Sequence, residues 1–451
     1  MAPNSETPAP DGPAVRLRAR RDLAVAAAVR QGLVDDEQPL VALLDLRTVH
    51  DTVHALHTAF GEAGTADRPP LHTFAVKAGS LVPVLRLLNG LGVGCEVASP
   101  GELALARAAG VPADRIVLDS PAKTTAELRE ALELGITLNV DNSQELTRLD
   151  RLTAGTTPRG ALGLRINPQL GAGSIDAMST ATATSKFGVA LQDPGARAWV
   201  LRAYADRPWL TALHCHVGSQ GMPLEQMAAG VAATYELAEE INEAALAARG
   251  RRQIASLDIG GGLPVNFDSD EVSPTYGEYA RLLKDRVPGL FDGRYRVVTE
   301  FGRSLLAKAG VIVARVEYTK SAGGRRIAVT HAGAQVATRT VFAPESWPLR
   351  VAAYDADGRP GTGAPVRQDV AGPCCFAGDL VARDRELPAL EPGDHAALLD
   401  TGAYYASTPF GYNSLPRPAV HGFTVGPEGV PEFTVIRRAQ TVAELVADSG
   451  G

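Results

Sequence analysis

From Phe74 to Thr299 the chain repeats one pattern eight times: a short apolar run that reads as a buried strand, followed by an amphipathic run with helical spacing. The strand candidates are residues 74–76, 93–97, 116–118, 136–140, 161–166, 210–217, 254–259 and 295–299, and the runs 101–110 and 127–134 typify the helices between them. Strand and helix alternating in this way predict a (β/α)₈ barrel, because each parallel crossover needs a helix to return the chain. Beyond residue 305 the rhythm changes to short β-branched runs separated by Gly and Pro, with no long amphipathic helix, which predicts an antiparallel β domain. The expected organisation is an N-terminal tail and short helix over residues 1–36, a barrel over 37–305, and a β domain over 306–451. The tail covers the first fourteen residues, the helix residues 22–31, and residues 40–45 read as a strand ahead of the eight.

A chain of 451 residues exceeds what one hydrophobic core usually supports, in keeping with two domains. A formal charge of −7 without a long basic run argues against nucleic acid as a partner. No run reaches membrane-spanning length, and residues 23–29 are too short and alanine-rich for a secretory signal. Four cysteines, Cys95, Cys215, Cys374 and Cys375, form neither a disulfide framework nor a zinc spacing, so a reducing, cytoplasmic setting is the expectation.

A barrel builds its site from the C-terminal ends of its strands. Lys77, Glu96, Asp119, Asp141, Arg165, Asn167, His216, Asp258 with Gly260–Gly262, and Glu300 with Arg303 all fall at those ends. Lys77 closes the first strand, where desolvation would lower the pKa of an amine and prepare it to attack an aldehyde. Asp258-Ile-Gly-Gly-Gly262 lets backbone N–H groups approach an anion, and Glu300-Phe-Gly-Arg303 sets a carboxylate and a guanidinium beside it. His214 and His216 share one face of the sixth strand. With no third ligand at a suggestive spacing no metal is expected, and one imidazole is read as stacking on a flat ring, with Ser219 near a phosphate. Amine, phosphate cradle, stacking ring and carboxylate together specify pyridoxal phosphate (PLP), with Glu300, or else Glu96 or Asp258, at the pyridine nitrogen. Small and hydroxyl residues over 171–185 suggest a mobile loop above the rim.

These residues resemble the fold-type III PLP decarboxylases, which include diaminopimelate and ornithine decarboxylases, from about residue 41 to 418. The resemblance rests on Phe74-Ala-Val-Lys-Ala78, Cys95-Glu-Val-Ala-Ser-Pro-Gly-Glu102, Asp258-Ile-Gly-Gly-Gly262, Glu300-Phe-Gly-Arg303, Gly372-Pro-Cys-Cys375, Gly378-Asp379 and Asp400-Thr-Gly-Ala-Tyr404. Ser185-Lys-Phe-Gly-Val189 and His214-Cys-His-Val-Gly-Ser-Gln220 look like the diaminopimelate branch. The resemblance implies a head-to-tail homodimer with shared active sites. It implies PLP on Lys77, His216 against its ring, Glu300 at its nitrogen, and a phosphate held by Ser219, Gly261, Gly262, Arg303 and Tyr404. Glu96, Arg165 and Gly302 complete the expected cofactor shell, and Cys375 of the second subunit returns a proton to Cα after CO₂ leaves. Arg303, Arg339, Phe376 and Tyr404 are the expected substrate contacts.

Three departures bear on the substrate. Phe376 stands where diaminopimelate decarboxylases carry a glutamate that reads the distal ammonium, Arg339-Thr-Val-Phe-Ala343 keeps the arginine of an Arg-Pro-x-x-Tyr motif but not its tyrosine, and Phe301 replaces a proline. An ammonium buried against Phe376 would lack a partner at a cost of a few kcal/mol. The sequence therefore predicts a decarboxylase for an amino acid other than a simple basic diamino acid, specialised-pathway or carrier-linked substrates included. Diaminopimelate decarboxylase proper, a PLP racemase and a non-catalytic binding relative stand as alternatives.

Overall fold

A computed structural model describes residues 12–65, 67–175 and 178–451. The chain divides into two compact units. One comprises Thr52–Val265 and Pro274–Leu305; the other takes the chain up to Asp51, the segment Asn266–Ser273, and Leu306–Gly451.

The first unit is the barrel. Its strands are Leu71–Ala75, Gly94–Val97, Ile116–Asp119, Thr137–Val140, Leu162–Asn167, Leu210–Cys215, Ser256–Asp258 and Arg296–Phe301. All neighbours run parallel, and the ring closes where Arg296–Phe301 pairs with Leu71–Ala75, with Thr73 opposite Glu300. A two-residue strand, Val189–Ala190, adds to the outside of the fifth at Ile166 and Asn167. The strands are buried on both faces, which is why they read as continuous apolar runs rather than as alternating ones. Short rim loops end in N-caps that start the return helices: Ser99 accepts from the Glu102 N–H, Thr124 and Glu127 form a capping box, and Asn142 accepts from Gln144 and Glu145.

The second unit is a nine-stranded, mostly antiparallel sheet organised on the thirteen-residue strand Gly310–Ala322. That strand pairs antiparallel with Leu40–Asp45, Arg325–Thr330 and His395–Leu399. Leu40–Asp45, expected inside the barrel segment that begins at residue 37, therefore belongs to this sheet, between Gly310–Ala322 and Ala419–Val425. Its apolar run fits either setting, and only long-range pairing distinguishes them. The N-terminal helix starts at Pro13, not Asp22, since Pro at the first helical position suits an open N–H and Ala24, Val25 and Ala28 bury against the sheet. Of the expected loose tail, residues 1–11 lie outside the described residues. The helix Ala334–Phe342 and the strands Pro365–Ala371, Leu380–Pro388, Ala419–Val425 and Pro431–Arg437 escaped the sequence pattern; Pro365–Ala371, Leu380–Pro388 and Pro431–Arg437 carry charge and Pro and are only partly buried.

A buried ionic network ties this unit together. Asp270, on the segment Asn266–Ser273, meets Arg21 at 2.9 Å, Arg18 at 3.0 Å and Arg350 at 2.8 Å; Arg350 continues to Asp400 at 2.9 Å, which also meets Lys308 at 3.3 Å. Burial disfavours the Asp270 charge, yet the Arg21 and Arg350 hydrogen bonds hold its pKa well below the usual carboxylate range. A depressed carboxylate pKa contributes stability above its unfolded value, about 4, and that contribution fades as pH falls through it. Asp270→Asn leaves the arginines partly uncompensated and should cost about 3 kcal/mol at neutral pH in urea unfolding. The gap to wild type should narrow on acidification below about pH 4, and a gap that widened instead would refute the assignment.

Candidate active site

The first barrel strand ends at Ala75, and a single 3₁₀ turn, Val76–Ala78, carries Lys77 over the rim. Lys77 Nζ meets Glu96 Oε2 at 2.5 Å, Glu96 being buried at the end of the second strand. The lysine side chain is 47% exposed, so the expected desolvation of its ammonium is not what the structure shows. Its controlling neighbour is a carboxylate. Burial pushes Glu96 up to about 7, against the pull of the Lys77 charge.

Deeper in the barrel, Glu300 Oε2 lies 3.3 Å from His214 Nε2, and Glu300 is hydrogen-bonded to Asp258. Two carboxyls buried side by side do not both ionise without a large cost. Burial, then the Glu300 charge, raises Asp258 well above the carboxylate range; burial works against Glu300 as well, but His214, Lys77 and His216 hold it well below that range. Of the three carboxylates that the sequence left open, Glu96 is engaged by Lys77 and Asp258 is the protonated partner. Glu300 is the ionised group. Its Oε1, together with Asp119 Oδ1 and His214 Nδ1, is buried without a hydrogen-bond partner.

His216 follows the sixth strand, and its Nδ1 accepts the Gly261 N–H at 3.1 Å. That bond fixes the tautomer with the proton on Nε2. Burial, reinforced by the Arg165 charge, lowers His216 to about 3, so the ring is neutral. Gly261 was expected to turn its N–H toward a phosphate; here it serves His216. Gly262, at φ +94, lies against the Gly218 carbonyl and the Ser219 Cα, where any Cβ would collide, so Ser219 and Gly262 are brought side by side. Gly302 packs its Cα side on Ala75 and Ala78, bringing Glu300-Phe-Gly-Arg303 against the lysine turn. Arg303 is buried there.

Arg165, on the fifth strand, bonds Asp119 Oδ2 at 2.7 Å, and its guanidinium stacks on Phe187 at 4.4 Å. The described part of the 171–185 loop is stitched to the segment after the sixth strand: the Thr180 and Ala181 N–H groups donate to Val217 O and Ser219 N–H to Met178 O, while residues 176–177 lie outside the described residues. Ligand-type atoms of Asp119, His214 and Glu300 lie within 4.8 Å of one another. That donor set could attract a divalent cation, but the Arg165 charge on Asp119 opposes it.

The remaining expected residues lie in the other unit. Cys375 is exposed, its N–H donating to Asn413 Oδ1 at 2.8 Å. Phe376 stacks on Phe342 with centroids 5.5 Å apart and meets Tyr412 edge-on at 5.7 Å. The Arg339 guanidinium sits between the rings of Tyr404, at 4.6 Å, and Trp347, at 5.2 Å. Tyr404, Asn413 and Ser414 all adopt positive φ (67°, 59° and 52°), strain of the kind that collects at functional loops. Sequence reasoning gave no role to Asn139, whose Nδ2 donates to Asp258 Oδ2 at 3.3 Å, or to the buried Lys123–Glu145 pair, although a lone Asn in an apolar strand was the available signal for the first.

The barrel interior fits PLP. A partnerless oxygen on an ionised carboxylate suits a pyridinium N–H, a neutral imidazole suits the ring face, and a Ser–Gly edge suits an anion. Comparison with known proteins agrees. Diaminopimelate decarboxylase of Pseudomonas aeruginosa is 35% identical over 396 residues, covering 88% of this chain and 90% of the relative, and that of Haemophilus influenzae is 32% identical over 395, covering 87% and 89%. The crystal structure of diaminopimelate decarboxylase from Helicobacter pylori complexed with L-lysine superposes with a TM-score of 0.78 at 25% identity, covering 94% of this chain and all of the other. Residues 46–307 match the family model for the pyridoxal binding domain of pyridoxal-dependent decarboxylases. With barrel, lysine and carboxylates arranged as that cofactor requires, the chain belongs to the pyridoxal-dependent decarboxylases, carbon–carbon lyases that release CO₂.

Proposed function

We propose that the protein decarboxylates an amino acid bearing a second, distal carboxylate, and that diaminopimelate is the first substrate to test. The decarboxylase chemistry rests on one observation above all: the barrel interior joins Lys77 to Glu96 and isolates an ionised Glu300 between His214 and Asp258. The substrate reading is supported by the names of the relatives and by Arg339, whose guanidinium is caged between two rings and suits a carboxylate.

When bound, PLP supplies the electron-withdrawing ring that accepts the charge left behind as CO₂ departs. In this reading Lys77 anchors the cofactor, and Glu96 holds or accepts a proton at Nζ. Glu300 keeps the ring nitrogen protonated. Neutral His216, fixed by the Gly261 N–H, covers the ring face without adding charge, and Arg165 and Glu96 flank it. Ser219, Gly262, Gly302 and Arg303 surround the phosphate, with Gly261 acting through His216. Cys375 and Tyr404 serve the barrel of a second copy in a head-to-tail homodimer, Cys375 as proton donor at Cα, Tyr404 at the phosphate. Arg339 and Phe376 meet the substrate's far end.

Phe376 favours a second reading. Stacked on Phe342 and flanked by Tyr412, it offers an apolar wall where an ammonium would find no carboxylate, which suits a substrate whose distal amine is absent, acylated or carrier-linked.

CO₂ release from meso-diaminopimelate by PLP-loaded protein, abolished in Lys77→Ala, would support the first reading. Release of the α-carboxylate only from substrates whose distal amine is absent or blocked would support the second. Under the second reading Phe376→Glu should raise kcat/KM for diaminopimelate by about tenfold or more, the partner for an ammonium being restored. Cys375→Ala should lower kcat by about 10²- to 10⁴-fold, as expected for loss of a proton donor. Mixing inactive Lys77→Ala and Cys375→Ala proteins should recover part of the activity. No recovery would argue against shared sites.

A further inference from the structure

Four carboxyl groups, Glu96, Asp119, Asp258 and Glu300, are buried in one barrel interior, and none is left without a compensating neighbour. Lys77 holds Glu96, Glu300 shares a proton with Asp258, and Arg165 holds Asp119. His214 is the group in contention: its Nε2 is 3.3 Å from Glu300, and Asp119 presents an oxygen within 4.8 Å of the same pair. Were Asp119 unpaired, two buried carboxylates would compete for one imidazole.

The geometry points to Asp119, Arg165 and Phe187 as a positioning set: Phe187 holds Arg165 on Asp119, which leaves His214 to Glu300. The inference rests on reading Glu300 as the carboxylate at the cofactor's ring nitrogen. Phe187 lies 4.4 Å beneath the Arg165 guanidinium and is itself pinned. The next residue, Gly188, donates its N–H to Asp141 Oδ1 at 2.9 Å, and Val189 pairs with Ile166 on the strand that carries Arg165. Gly188 has φ +70, and a Cβ there would press on the Arg165 carbonyl. Asp141 is set in turn by Glu145, which accepts the Asp141 N–H at 3.0 Å and meets the buried Lys123 at 3.0 Å. An aromatic face suits a guanidinium because it limits the planar group's swing without offering a competing hydrogen bond. The segment that closes the 171–185 loop thereby reaches the ring-nitrogen carboxylate through three side chains. None of the three needs to touch the cofactor at that end.

The test reads cofactor binding, not turnover. PLP affinity and the visible absorbance band of the bound cofactor are measured for wild type, Arg165→Met, Asp119→Asn, the Arg165→Met/Asp119→Asn double variant, Phe187→Leu, Phe187→Tyr and Glu300→Gln, with apo-protein thermal midpoints alongside. Arg165→Met should weaken PLP binding about tenfold, the equivalent of one pKa unit at Glu300, and shift the band in the same direction as Glu300→Gln. Phe187→Leu should do the same to a smaller degree, and Phe187→Tyr, which keeps an aromatic face, should restore the wild-type values. The double variant should bind PLP better than Arg165→Met alone, because the carboxylate competing for His214 is gone. A double variant no better than the single, a Tyr variant no better than Leu, or affinities that merely track the thermal midpoints would overturn the inference. Tight Zn²⁺ binding by wild-type apo protein, lost in Asp119→Asn, would also overturn it by making the trio a metal site. A Glu300→Gln protein with unchanged affinity and band would instead sink the reading of Glu300 itself.

Discussion

Placing several carboxyl groups inside a closed barrel is costly unless each is paired or protonated, and the site follows from how that demand is met. Lys77 and Arg165 each take one, a shared proton neutralises Asp258, and His214 leaves Glu300 charged. The same distribution keeps His216 neutral, since its lowered pKa owes most to burial and next to the Arg165 charge. A neutral imidazole beside an ionised carboxylate is a combination that a water-filled cleft could not hold without these partners.

Barrel closure is what makes the distribution possible. Strands one and eight pair directly, so Glu300 lies opposite Thr73 one turn from Lys77, although 223 positions separate the two side chains along the chain (300 − 77). Gly261 and Gly262 then permit backbone approaches that any side chain would block, one to Glu300 and one to Gly218. The second unit meets a different demand. Its ionic network on Asp270 binds a segment that the chain order places in the middle of the barrel, and Asn413, at positive φ, accepts the Cys375 N–H.

The proposed substrate readings turn on one side chain that the family pattern shares, Arg339, and one that it does not, Phe376. Retention of Arg339 and loss of an acidic residue at 376 point in different directions, toward a distal carboxylate and away from a distal ammonium. The relatives named diaminopimelate decarboxylase add weight to the first, and the stacked Phe342–Phe376 pair is the physical basis of the second.

Eight strands, their order and the residues at their C-terminal ends were legible in the sequence, because parallel strands buried on both faces leave unbroken apolar runs and the turn to each helix must be polar. The placement of Lys77, Glu96, His216, Glu300 and the triple glycine at strand ends was legible for the same reason. Assigning Leu40–Asp45 to the second sheet, recognising Asn266–Ser273 as part of that unit, and starting the first helix at Pro13 were beyond it, since these depend on partners hundreds of residues away. Local order of residues determined the barrel and its rim chemistry. Which carboxylate is ionised, that Lys77 is ion-paired rather than desolvated, and that the Gly261 N–H serves an imidazole were decided only by the tertiary structure, because charge and hydrogen bonding depend on distances that the linear chain does not contain.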